Sequence, residues 1–124
     1  MSGALSVSVA AGVPIRSAVV NADKNGTRLL IAAPGEGSRI QVHGLYVGAD
    51  GDGDVTFLSA ATPLTGAIPL YDGQTGRTMC WPISPDPEAY WIRCADNEAL
   101  NVVLTANCDL DGVIKYRIRA TAEQ

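Results

Sequence analysis

The chain has 124 residues, enough for one domain with a real core, since a domain of this size buries roughly two-thirds of its unfolded surface, and a second domain is not expected. Apolar residues make up 47% and charged residues 18%, which is too apolar for a disordered segment, and the apolar runs are too interrupted for a membrane span. A formal charge of −4 gives no general attraction to phosphate backbones and argues against sequence-independent nucleic-acid binding.

Thirteen glycines and seven prolines imply many turns, and almost no stretch carries the i, i+3, i+4, i+7 apolar spacing of an amphipathic helix. The chain therefore reads as mostly β. Met1 to Pro14 has no Lys or Arg ahead of its first apolar residue, so it lacks the positive region of a secretory signal. It is expected to belong to a mature protein made in a cytoplasm. Within it, Leu5, Val7 and Val9 alternate with small residues, the pattern of an extended arm that can lie against a partner.

Arg16–Ala22 is the first predicted strand, and Thr27–Ala33 follows after Asn25-Gly26, a hairpin signal. Pro34-Gly35-Glu36-Gly37 breaks the chain. Ser38–Ala49 is the longest predicted strand, with Ile40 and Val42 on one face; at Gly44 the apolar phase shifts to Leu45 and Val47, which predicts a bulge or a close approach of another backbone. Val55–Ala60 comes next, then a proline-punctuated stretch holding Leu64, Ile68 and Leu70.

Arg77–Trp81 and Tyr90–Ala95 flank a segment with Pro82, Pro85 and Pro87, which cannot sit inside a sheet and so forms a stiff projecting loop. Leu100–Cys108 alternates. Asp111-Gly112 reads as a turn into Val113–Ala120, where Ile114, Tyr116 and Ile118 face one way and Lys115, Arg117 and Arg119 the other. The fold expected is an all-β, single-domain jelly roll or β-sandwich of about eight short antiparallel strands, with an extended arm over 1–14 and the sandwich over 15–124. A five-stranded barrel is the alternative.

Asp50-Gly51-Asp52-Gly53-Asp54 sets three carboxylates at alternate positions, as a calcium loop would, but the glycine and glutamate required at the sixth and twelfth positions of a helical calcium loop are Val55 and Ala61 here. Asp50, Asp52 and Asp54 thus read first as a turn and only second as a calcium site; no other metal or cofactor is expected. His43 is the lone histidine and has no orienting carboxylate or nucleophile signature around it, so it reads as a partly exposed strand residue whose replacement leaves function intact. The chain is not expected to be an enzyme.

Cys80, Cys94 and Cys108 are too widely spaced for a zinc knuckle. They read as buried thiols, or, if the proline loop closes a hairpin, as a Cys80–Cys94 disulfide with Cys108 left to bond between subunits. Trp81, Tyr90 and Trp91 bracket the loop; such rigid aromatics suit interface centres and sugar-binding surfaces. Tyr90 and Trp91, adjacent in a strand, are expected on opposite faces. Lys115, Arg117 and Arg119 form a basic stripe that reads either as the solvated face of an edge strand or as a dock for an acidic neighbour.

From Asn21 to Ala120 the sequence resembles small tailed-phage virion proteins of jelly-roll type that decorate capsids or form fibre heads. The resemblance rests on Thr27-Arg28-Leu29-Leu30-Ile31-Ala32-Ala33, Ser38-Arg39-Ile40-Gln41-Val42, Gly66-Ala67-Ile68-Pro69-Leu70 and Asn97-Glu98-Ala99-Leu100-Asn101-Val102-Val103-Leu104. It implies a non-enzymatic homo-oligomer, commonly a trimer, on the outer surface of a capsid, clamping subunits of the major capsid protein. Nucleic acid and membrane are not expected partners. A receptor- or carbohydrate-binding module at a fibre or tail tip is the other function it leaves open.

Overall fold

The computed structural model describes residues 13–22, 26–50, 53–70, 77–86, 88–105 and 109–121. Leu5, Val7 and Val9 of the expected arm lie outside the described residues, as do Asn25, Asp52, Pro87 and Cys108. Among the described residues ten strands run in order: β1 (Arg16–Ala22), β2 (Gly26–Ile31), β3 (Ser38–Asp50), β4 (Gly53–Ser59), β5 (Thr62–Pro63), β6 (Ile68–Leu70), β7 (Arg77–Trp81), β8 (Ile92–Arg93), β9 (Leu100–Leu104) and β10 (Asp109–Ala120). Among the described residues no helix is long and apolar enough to cross a membrane.

All pairings are antiparallel. One sheet runs β1-β10-β3-β7, with β8 also on β3; the other runs β2-β9-β4-β5, with β6 also on β4. β7 and β8 lie end to end along one edge of β3, and β5 and β6 along one edge of β4, so each pair is a single interrupted strand. Counted so, the strand positions run 1-8-3-6 in the first sheet and 2-7-4-5 in the second, which is the order of a jelly roll.

Alternation explains why these segments pair this way. Val20 and Ala22 of β1, Leu45 and Val47 of β3, and Leu110 and Ile114 of β10 point inward from the first sheet; Val55 and Phe57 of β4 and Leu100, Val102 and Leu104 of β9 meet them from the second. Burying each large side chain of this set contributes about 1.5–3 kcal/mol. Trp81 leans across the layer onto Phe57, with ring centroids 5.4 Å apart.

Three local expectations are corrected. β1 and β2 belong to different sheets, so they do not pair as the hairpin expected on either side of Asn25-Gly26. Asp111-Gly112 is no turn: both residues lie within the twelve-residue β10, and Gly112 opposes Val20 on one side and Val47 on the other. β10 is a central strand over residues 110–116, flanked by β1 and β3, so Lys115 does not line a sheet edge, whereas Arg117 and Arg119 lie beyond the β1 register and pair only with β3.

The shift of apolar phase in β3 is a bulge. Lys115 pairs with Gly44 and Tyr116 with Val42, leaving His43 as the extra residue. Ile40 and Val42 before it and Leu45 and Val47 after it all stay in the core, 3% exposed or less. The bulge is what lets one strand keep two out-of-phase apolar runs on the same face.

Candidate functional site

The bulge divides the outer face of the first sheet into two halves. On one side of it, register places Val19, Val113, Tyr46 and Cys80 in a row across all four strands. Val19 is 80% exposed and Tyr46 56% exposed. With neighbouring strands about 4.8 Å apart, this apolar row spans about 14 Å. On the other side lie Arg39, Gln41, His43, Arg117 and Arg119, and this half is roofed by the proline loop and by the chain at Val13.

The loop, positions 82–91, is an insertion within one edge strand, because β7 and β8 resume the same pairing on β3 before and after it. Its base is pinned: the Trp91 N–H donates to the Val42 carbonyl at 2.8 Å, the Trp91 indole N–H to the Pro82 carbonyl at 2.9 Å, and the Trp81 and Trp91 rings stack at 5.5 Å. Inside the loop, the Asp86 N–H donates to Ser84 Oγ (3.0 Å) and the Glu88 N–H to Asp86 Oδ1 (2.9 Å), local bonds that hold a proline-rich turn without a ladder. Arg119 adds an ion pair to Glu88 at 3.3 Å. Gly44 makes the seat: a Cβ there would stand 2.6 Å from Ile83 Cγ1 and 3.3 Å from the Trp81 carbonyl oxygen. The closest approach at Gly44 is thus made by the Ile83 side chain of the loop, the nearest backbone atom being the Trp81 carbonyl oxygen at the end of β7.

His43 is buried, only 2% exposed, so the expectation of a partly exposed side chain is corrected: the loop covers it. Arg117 lies 3.2 Å from its Nδ1 and also donates through Nε to the Val13 carbonyl at 3.0 Å. A guanidinium can only donate, so Nδ1 accepts and Nε2 carries the proton. Burial and then the Arg117 charge hold the imidazole below its ordinary pKa, against a smaller opposing pull from the Ala89 backbone. Nε2 is buried and makes no hydrogen bond within ordinary limits. A cleft of about 210 Å³ opens beside it, lined by His43, Pro82, Ser84, Ala89, Tyr90 and Trp91.

The other sequence-chosen residues fall as follows. Tyr90 and Trp91 are not in a strand and do not take opposite environments; both are exposed, 39% and 48%, and the Arg93 guanidinium lies 5.1 Å over the Tyr90 ring. Trp81 is half-buried against the core. The basic stripe is turned onto its own chain: Lys115 donates to Ser17 Oγ at 2.6 Å, Arg117 holds Val13 and His43, and Arg119 holds the loop through Glu88. Asp50 ends β3 and Asp54 lies in β4, in the opposite sheet; the Asp54 N–H and carbonyl are both bonded to Thr105. Among the described residues no group of three or more His, Cys, Asp or Glu side chains is placed to hold a metal.

Cys80 and Cys94 are free thiols, and register rules out a bond between them. Cys80 opposes Tyr46 while the Cys94 N–H bonds the Ile40 carbonyl, six residues along β3, or about 20 Å. A disulfide needs Cα atoms within about 7 Å. The premise of a hairpin over the proline loop fails because β7 and β8 lie in line.

A second cleft, of about 340 Å³, opens where the two sheets part beside Ser59 and Cys94. The Ser59 hydroxyl there donates to Glu98 at 2.6 Å and accepts from the Ala95 N–H at 2.9 Å, while Arg39, in the same lining, keeps a buried Nε without a hydrogen bond beside the charged Arg93 and Glu98. The His43 cleft holds a comparable buried donor, His43 Nε2, among uncharged described residues. Set beside known protein-family models, curated proteins and solved structures, the chain matches none.

Proposed function

We propose that the chain is a non-enzymatic structural protein of a virion, a capsid decoration protein that docks on the shell of major capsid protein and stabilises it. The observation that supports this is the apolar row Val19–Val113–Tyr46–Cys80 across the outer face of one sheet. A sandwich standing alone in water alternates apolar inside and polar outside, and a contiguous exposed apolar patch marks an interface. The row is the docking surface for the shell subunit. A ring of copies about a symmetry axis needs two different complementary patches on each subunit, whereas a row running straight across one sheet suits a single larger body beneath it. Binding to the assembled shell alone raises the stability of the particle by mass action.

The jelly-roll order agrees with this function without deciding it, because one fold serves many roles. The test is co-sedimentation of the purified chain with shells assembled from the major capsid protein encoded in the same genome. Many copies should pellet with each shell, and Val19→Lys with Tyr46→Lys, both at exposed positions, should lower occupancy at least tenfold with the melting temperature unchanged. Absence of the wild-type chain from the pellet, or undiminished occupancy of the double variant, overturns the proposal.

A further inference from the structure

The cleft beneath the proline loop has the makings of a ligand site that the docking row does not use. Its floor is His43, whose Nε2–H is buried and feels only the weak pull of the Ala89 backbone, with no hydrogen bond within ordinary limits. Leaving such a donor unsatisfied costs about 1–3 kcal/mol, a cost that an incoming acceptor oxygen removes. Arg117, on the far side of the ring, fixes the tautomer that presents this N–H and polarises it. Ser84 supplies a second donor: its Oγ accepts the Asp86 N–H, which leaves its own hydrogen free to turn toward the cleft. The rest of the lining is apolar or aromatic.

Those features select a ligand class. Among the described residues, the six that line the cleft include no carboxylate, lysine or arginine, so none of them compensates an ion for its lost water. A purely apolar ligand would leave the His43 N–H as it is. At about 210 Å³ the cleft is smaller than the roughly 300–1,000 Å³ that takes a drug-sized molecule, so it suits one ring and not a chain of them. Trp91 is half-exposed, one of its faces is backed by Trp81, and its N–H is committed to Pro82. What it offers a ligand is a rigid flat surface.

We propose that this cleft binds a single uncharged pyranose unit of a glycan, with the His43 Nε2–H and the Ser84 hydroxyl donating to sugar oxygens and Trp91 packing against the apolar face of the ring. The site is independent of the capsid proposal, since it shares no residue with the Val19–Cys80 row.

The test is saturation-transfer NMR on the full chain with the methyl pyranosides of glucose, galactose, mannose, fucose, N-acetylglucosamine and N-acetylgalactosamine. At least one should receive saturation, with millimolar affinity. Trp91→Ala should weaken that binding about three- to tenfold, the scale of one aromatic contact, and Ser84→Ala should weaken it as well. His43→Leu, which fills the volume without a donor, should abolish it, while His43→Gln, which keeps an N–H, should restore part of it. Melting curves on every variant separate lost binding from lost fold, and if Trp91→Ala does not fold, Ser84→Ala on the loop decides. No transfer to any of the six sugars, or equal transfer in wild type and in folded Trp91→Ala and Ser84→Ala, overturns the proposal whatever the sedimentation experiment shows.

Discussion

Replacing Gly112 by alanine should be among the most damaging single-methyl changes in the chain. Gly112 sits mid-strand in β10 at φ +155°, and a Cβ built on it would overlap the Tyr46 carbonyl oxygen and stand 2.7 Å from Val47 Cα. Those are backbone atoms of the neighbouring strand, so no rotamer change relieves the contact; β10 must move off β3, and this is the longest pairing in the molecule. Overpacking typically costs about 1–3 kcal/mol and a disfavoured φ about as much again, so Gly112→Ala should lose about 4 kcal/mol. Against a typical domain stability of about 5–15 kcal/mol that is a large share, and it corresponds to a melting temperature lower by about 12–20 °C. Urea and thermal denaturation followed by tryptophan fluorescence read it directly. Gly66→Ala is the control, because nothing lies within 4 Å of its added Cβ, and it should stay within about 0.5 kcal/mol of wild type. A loss under 1 kcal/mol for Gly112→Ala would refute the strand pairing on which the first sheet is built.

Gly44→Ala pushes against Ile83 in the proline loop and should cost about 1–2 kcal/mol, with Ile83→Ala restoring most of it; additive losses in the double-mutant cycle would mean that the loop does not seat there. His43 titrates below its unfolded value of 6.5 because of burial and Arg117, with Arg119 and Glu88 as the smaller charges around it. Between the folded and unfolded values the unfolded chain holds a proton that the folded chain lacks, so this contribution is complete above about pH 6.5 and is lost as pH falls through the folded value. His43→Gln should therefore flatten the fall in urea midpoint from pH 7.5 to 5, and an unchanged slope would show that His43 is not the group responsible. Burial pushes the Cys94 thiol up to about 11, while Cys80 is exposed. Iodoacetamide at pH 8 should label Cys80 in the native protein and Cys94 only in denaturant, read by peptide mass spectrometry; equal rates would contradict the burial of Cys94.

Much of the first sheet was legible because period-two alternation depends on neighbours within one strand. β1 and β7 begin and end where their patterns say, and the phase shift at Gly44 announced the bulge. What did not follow was anything set by which strand lies beside which. Asp111-Gly112 carries the residue types of a turn, yet the glycine is there because β3 comes too close for a side chain, and the same two letters serve either purpose. Asn25-Gly26 carries the residue types of a hairpin turn, yet the strands before and after it belong to different sheets, which sequence spacing does not distinguish from a hairpin. Tyr90–Ala95 shrank to Ile92–Arg93 because the backbone at Trp91 is spent on tying the loop base to Val42. The candidate site was half visible: the aromatics and prolines stood out, but His43 gained its meaning only from a cover ten positions wide and from Arg117, 74 residues away. A lone histidine at the point where an apolar phase breaks was the one signal that could have found it.

Deletion of His43 tests whether the site is a consequence of the bulge. Val42 and Leu45 are three positions apart and both face inward, which a regular strand forbids. Removing His43 brings them two positions apart, so β3 becomes regular, Tyr116 and Lys115 keep Val42 and Gly44 as partners, and the core alternation survives. The deletion variant should fold cooperatively, because its register satisfies every inward residue. Deletion of Gly48, in the regular part of the same strand, should not fold, because Val47 and Ala49 would then fall on opposite faces. The two deletions differ by five positions and remove comparable backbone, so a shared outcome, either both folding or both failing, would refute the bulge. A folded His43-deletion variant that has lost the pyranose signal, beside wild-type shell binding, would further show that the extra residue serves the cleft and not the sandwich.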